Sequence, residues 1–145
     1  MKIVMGSDHA GYHLKEVLKK KLLDAGHEVT DVGCYNTDSV DYPDIADAVA
    51  EEMLKSSETK GVLVCGSGIG ISMEANRHRH IRCALVHDGY SARLCREHND
   101  ANAIAFGGRL IGEELAADCL EVFLKTAFIP KESYVRRVKK LGKEG

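Results

Sequence analysis

Short apolar runs alternate with helix-spaced segments along this 145-residue chain, and that alternation limits the fold more than any other feature. Runs at 2–5, 28–32, 61–65, 81–87 and 103–106 have the length and β-branched content of buried strands. Between them apolar residues recur at helical spacing. Leu14, Val17, Leu18, Leu22 and Ala25 make one such stripe; Ile45, Ala48, Val49 and Met53 make another; Leu115, Cys119, Val122 and Phe123 make a third. Shorter helices are expected from about 71 to 76 and from 90 to 97. Strands alternating with helices predict an α/β fold, a three-layer αβα sandwich with a Rossmann-like five-stranded parallel sheet. The length suits a single domain over 1–145, with a C-terminal helical segment at about 131–141.

In such a sheet ligands lie outside the carboxyl ends of the strands. The polar and glycine-rich clusters fall at those ends: Ser7-Asp8-His9 after the first strand, Cys65 to Gly70 after the third, His87-Asp88 after the fourth, Gly107-Gly108-Arg109 after the fifth. The sharpest is GVLVCGSGIG at 61–70. A glycine turn between strand and helix turns backbone N–H groups outward at the helix N-terminus, a place for negative charge. The same positive end favours the thiolate of Cys65 over the thiol. A bland reading stands beside it: glycines that only make a corner, and a cysteine that is only a small buried hydrophobe.

Composition narrows the partners. Net charge is −2 with Lys and Arg dispersed, which gives no footprint for nucleic acid or an anionic membrane surface. No apolar run approaches membrane-spanning length. The N-terminus enters a strand without a signal-peptide pattern, and the five cysteines (34, 65, 83, 95, 119) are odd in number and scattered. Reduced thiols in a cytoplasmic protein are therefore expected.

Several chemistries lack their residues. The first turn, GSDHAG, is not the G-x-G-x-x-G of a dinucleotide site, and no Walker P-loop is present. A thiol phosphatase needs an arginine six residues after the cysteine, where Ile71 stands. There is no C-x-x-C. His78, His80, Cys83 and His87 could be imagined around a metal, but the first two precede a strand whose far end carries His87, so no metal is expected. Proton transfer remains. A thiolate can take a proton α to a carbonyl while main-chain N–H groups hold the enediolate. Ser67 is placed to pass protons between the two oxygens. Asp8 and His9 are candidates for gripping hydroxyls or an anionic group.

GSDHAG at 6–11, DYPD at 41–44, CGSGIGIS at 65–72, REHNDAN at 96–102 and GGRLIG at 107–112 together resemble ribose-5-phosphate isomerase type B. That group belongs to a wider family with the galactose-6-phosphate isomerase subunits. The resemblance covers nearly the whole chain, with the motifs in the family's order. It implies an aldose–ketose isomerase interconverting ribose 5-phosphate and ribulose 5-phosphate. Cys65 would be the base, Gly66, Gly68, Ile69 and Gly70 would bind the enediolate oxygens, and Ser67 would assist proton transfer. His98 with Asp8 would open the sugar ring. Tyr42 and Asn99 would hold hydroxyls. His9, Arg109 and a C-terminal arginine, Arg136 or Arg137, would hold the phosphate. It further implies no cofactor or metal, and a homodimer or homotetramer with each site completed by the partner subunit.

One departure bears on the substrate. The family commonly carries GGRHxxRV near its C-terminus, and here Arg137-Val138 matches its end while Ser133 stands where the first arginine belongs. Arg136 or Lys131 could substitute, although a lysine is a point charge and not a bidentate fork. An isomerase of a six-carbon sugar phosphate, such as allose or galactose 6-phosphate, is therefore an alternative. A non-catalytic, flavodoxin-like phosphate- or nucleotide-binding domain is another.

Overall fold

A computed structural model describes residues 1–142. The elements follow in strict alternation: β1 (Lys2–Ser7), α1 (Tyr12–Asp24), β2 (Glu28–Asp31), α2 (Tyr42–Met53), β3 (Lys60–Cys65), α3 (Ile69–Ala75), β4 (Cys83–Leu85), α4 (Gly89–Glu97), β5 (Ala103–Gly107) and α5 (Glu113–Lys125). A last helix, α6 (Glu132–Lys140), occupies the basic C-terminal segment. All strand pairs are parallel, in the order β2-β1-β3-β5-β4.

The period of two along each strand sorts the core into two layers. Ile3 and Met5, Val62 and Val64, Ile104 and Phe106 face α1, α4 and α5. Val4, Leu63, Cys65, Ala103 and Ala105 face α2 and α3. The three central strands β1, β3 and β5 are therefore apolar on both faces, as an αβα sandwich requires.

Two expectations need correction. The strand expected at 81–87 is only Cys83–Leu85. It is an edge strand, and side-chain amides complete its surroundings. Cys83 N–H donates to Asn76 Oδ1 at 2.7 Å, and Asn76 Nδ2 donates back to the Cys83 carbonyl at 2.9 Å. Arg82 N–H donates to Asn102 Oδ1 at 2.8 Å. An asparagine that mimics a neighbouring peptide blunts an otherwise open edge. The apolar stripes also differ: on α1 Val17 is only half-buried, Ala25 is exposed and Lys15 joins Leu14, Leu18 and Leu22 inside, and on α5 Leu115 is exposed.

The strand order matters most for the site. The chain switches direction across the sheet between β1 and β3, the point at whose carboxyl edge open parallel sheets take their ligands. A flavodoxin-like order would set β4 beside β3. Here β5 lies there, and Cys65 pairs in register with Gly107.

Candidate active site

Three turns meet at the carboxyl ends of β1, β3 and β5. Gly108 N–H donates to the Cys65 carbonyl at 2.8 Å and Arg109 N–H to the Gly66 carbonyl at 3.0 Å. Asp8 N–H donates to the Val64 carbonyl at 3.2 Å. The backbones touch so closely that a Cβ on Gly107 would lie 2.6 Å from the Ser67 carbonyl oxygen. Gly68 has φ +78°, and a Cβ there would lie 2.8 Å from the Phe106 carbonyl carbon. Only glycine fits at either position, which accounts for one glycine of the 61–70 stretch and the first of GGRLIG.

Cys65 ends β3 with 4 % of its surface exposed. Its Sγ accepts a hydrogen bond from Gly68 N–H at 3.2 Å. The sulfur thus faces the main-chain amides of its own turn. Ser67 Oγ, at the open side, accepts from Ile69 N–H at 3.2 Å. α3 spans seven residues, so the turn's individual amides and not a long helix dipole supply the local positive character. Two of those amides are already directed at Cys65 and Ser67.

The surrounding side chains come from separate elements. Asp8 is buried, and its Oδ1 accepts from Gly11 N–H at 3.0 Å, which closes the turn that leads into α1. His9 Nδ1 accepts from Val40 N–H at 3.2 Å. Val40 belongs to the polar loop between β2 and α2. Tyr42 opens α2 and lays its ring against Gly70, where an added Cβ would stand 2.5 Å from the ring. The Arg109 guanidinium lies over Gly66, 3.4 Å from where its Cβ would be. Cys65, Ser67, Gly66, Gly68, Ile69, Gly70, Asp8, His9, Tyr42 and Arg109 therefore converge on one edge of the sheet.

His98, Asn99, Arg136 and Arg137 do not. α4 starts at the carboxyl edge and runs back, so its C-cap residue His98 emerges at the amino edge, beside the start of β5. Asn99 lines a groove of about 380 Å³ there with Asn76, Arg79, Arg82 and Cys83. The Tyr134 ring of α6 lies against His98, with ring centroids 4.7 Å apart. The exposed Arg136 donates to Glu132 Oε1 at 2.8 Å, and Arg137 is exposed one residue on. Asp88 caps α4, its Oδ1 accepting from Ser91 N–H at 2.7 Å. A larger groove, about 650 Å³, lies between α1 and α5 and is lined by none of the predicted site residues.

The histidine-rich turn folds onto α2. His78 Nε2 lies 2.7 Å from Asp47 Oδ1, and His80 Nε2 2.8 Å from the Ala50 carbonyl. Asp47, Glu74 and His78 bring their ligand atoms within 4.8 Å of one another, the residues with metal-ligand spacing among those described. They sit half-buried at the far end of α3 from Gly70, and not at the glycine turn.

One group lay outside the sequence reading. Lys15 is fully buried, and its Nζ donates to Asp31 Oδ1 and Oδ2 at 2.8 and 2.9 Å and to the Cys34 carbonyl. The only trace in the sequence is a lysine on the apolar stripe of α1. Burial pushes the Asp31 carboxyl up, but hydrogen bonds from Lys15, Lys19 and Gly33 N–H more than offset it, and it ends below its ordinary value.

Comparison with known proteins agrees with this architecture. The profile of the ribose/galactose isomerase family matches residues 3–141. Ribose-5-P isomerase B of Listeria innocua is 41% identical over 128 residues, 88% of this chain and 86% of that protein. Among solved structures, the ribose 5-phosphate isomerase of Thermotoga maritima superposes with a TM-score of 0.93 at 45% identity, covering 97% of both chains. Ribose-5-phosphate isomerase B of Clostridium thermocellum gives 0.93 at 45% identity, over 98% of this chain and 95% of that one. Among the described residues no helix is long and apolar enough to cross a membrane.

Proposed function

The chain belongs to the ribose/galactose isomerase family, and on that premise we propose that it interconverts ribose 5-phosphate and ribulose 5-phosphate with Cys65 as the base. In the aldose-to-ketose direction the Cys65 thiolate takes the proton from C2. The C1 carbonyl electrons move onto O1, and main-chain N–H groups of the 66–70 turn hold the enediolate. The Ser67 hydroxyl carries the O2 proton to O1. Cys65 then returns its proton to C1, and C2 becomes the carbonyl. Tyr42 holds a hydroxyl, and His9 and Arg109 hold the phosphate.

The observation that carries this reading is the Gly68 N–H aimed at Cys65 Sγ at the β1/β3 switch point, in a turn that has Arg109 over Gly66 and Tyr42 against Gly70. A sulfur kept only as core filler needs no amide donor.

The reading includes a second copy of the chain. Ring opening falls to His98 with Asp8, yet in one chain these lie at opposite edges of the sheet. His98, Asn99 and a C-terminal arginine therefore serve the site of a partner in a homodimer, or in a homotetramer built of such dimers. A six-carbon sugar phosphate remains the second reading, favoured by Ser133 at the place of an arginine and by the pairing of Arg136 with Glu132.

The test is direct assay of the purified chain with ribose, allose and galactose 6-phosphates, comparing kcat/KM. Ribose 5-phosphate is expected to lead, and Cys65→Ala to lower turnover by about 10³-fold or more. Turnover that survives Cys65→Ala refutes the thiolate base, and a leading six-carbon sugar refutes the substrate assignment.

A further inference from the structure

Lys15 heads the fully buried side chains by volume, and the proton transfer above does not use it. Its Nζ is enclosed by the Asp31 carboxylate, the Cys34 carbonyl and the rings of Tyr12 and Tyr35, whose centroids lie at 5.4 and 5.7 Å. A buried ion pair is a weak source of stability, because desolvation of both charges offsets their attraction. What this pair does deliver is geometry.

Its partners form a continuous path to the candidate site. Asp31 Oδ1 also accepts from Gly33 N–H at 2.9 Å. Ser7 N–H donates to the Gly33 carbonyl and Cys34 N–H to the Ser7 carbonyl, both at 2.7 Å. Beyond Cys34 the chain runs through the exposed residues 35–39 and reaches Val40, whose N–H donates to His9 Nδ1. Two residues later Tyr42 lies on Gly70. An exposed loop has no core of its own, so its ends decide its course. Lys15 grips one end at the Cys34 carbonyl, beside the backbone bonds to Ser7, and His9 holds the other at Val40.

We propose that Lys15 is a positioning residue for the candidate site: its ammonium sets the 34–41 loop so that His9 presents Nε2–H and Tyr42 rests on Gly70. This rests on the reading that His9 and Tyr42 hold substrate. Nδ1 of His9 accepts the Val40 N–H, so the neutral ring carries its proton on Nε2, and that nitrogen is the donor available to a phosphate oxygen. When the loop loses its anchor, the tautomer is no longer selected.

The experiment compares Lys15→Met with Lys15→Met/Asp31→Leu, the second removing the half-buried carboxylate as well. Three readouts are taken: the His9 tautomer by long-range ¹⁵N–¹H NMR, KM and kcat for ribose 5-phosphate, and Tm. In both variants His9 is expected to populate both tautomers, and KM to rise about tenfold with a smaller change in kcat. The double variant is expected to regain the Tm lost by the single one without regaining KM. Should Lys15→Met fail to fold, the double variant alone carries the test. Wild-type KM together with a single Nε2–H tautomer in any folded variant overturns the proposal, as does a double variant that recovers KM along with Tm. If the wild-type chain turns over no sugar phosphate, the functional reading falls while the tautomer still decides the role of Lys15.

Discussion

The proposed shared site, in which Cys65 of one copy and His98 of its partner serve the same sugar, is tested by subunit mixing. Cys65 pairs in register with Gly107 at the carboxyl end of β5. Ala103, at the other end of β5, lies four residues back, about 13 Å at about 3.3 Å per residue. His98 caps α4 on that amino side, far outside hydrogen-bond reach of about 3 Å. If each site joins Cys65 of one copy to His98 of its partner, Cys65→Ala and His98→Ala are both inactive toward the cyclic sugar as pure proteins. Equal amounts allowed to exchange subunits form about half mixed dimers, each with one of two sites intact. Activity should then rise to about one quarter of wild type. Exchange of wild type with the double variant Cys65→Ala/His98→Ala gives the opposite sign: a site built from two copies lowers activity from about half to about one quarter, whereas a site within one chain leaves it at about half. The assay is ribose 5-phosphate turnover before and after exchange, with mixed dimers quantified by native mass spectrometry. Mixed dimers without any gain over the parents refute the shared site.

Other expectations follow from single positions. Gly68→Ala forces a side chain to φ +78° and sets its Cβ 2.6 Å from Leu85 Cδ1. The left-handed backbone costs about 1–2 kcal/mol and overpacking about 1–3 kcal/mol, so denaturant titration should show a loss of about 2–5 kcal/mol; a loss below about 1 kcal/mol contradicts the packing described. Burial pushes the Cys83 thiol up to about 12 and the Cys95 and Cys119 thiols up to about 11. At pH 8 iodoacetamide should leave these three unmodified in the folded chain, inactivate through Cys65 and be slowed by sugar phosphate, all read by peptide mass mapping. Asp31 is depressed below its ordinary value of 3.8 in the fold. Such a group lends stability above its unfolded pKa, and that contribution is lost as pH falls through the folded value. Unfolding free energy should therefore decline below about pH 4, with a shallower decline in Asp31→Asn; equal slopes for the two proteins would remove Asp31 from the account.

Much of this protein could be read from local pattern. A strand's two faces differ by one residue, so Val62 and Val64 against Leu63 and Cys65 already assign the layers. Alternating elements make the sheet parallel, and a parallel sheet puts the strand-to-helix turns on one edge, where Cys65, Asp8 and Arg109 were expected and are found. Lys15 was not legible as a core residue, because a lysine becomes buried only when remote partners, here Asp31 and Cys34, satisfy its charge. The length of β4 was equally hidden, since Asn76 and Asn102 replace strand partners there with side-chain amides.

By itself the sequence determined the alternation of the elements, the faces of the central strands and the edge that carries the chemistry, since these depend on spacing within a dozen residues. Tertiary structure alone decided that β5 lies between β3 and β4, bringing Arg109 and not His87 beside the cysteine turn. The place of His98 at the opposite edge follows from the alternation itself, because a helix between two parallel strands ends at their amino edge. The strand order depends on long-range packing that no local spacing encodes.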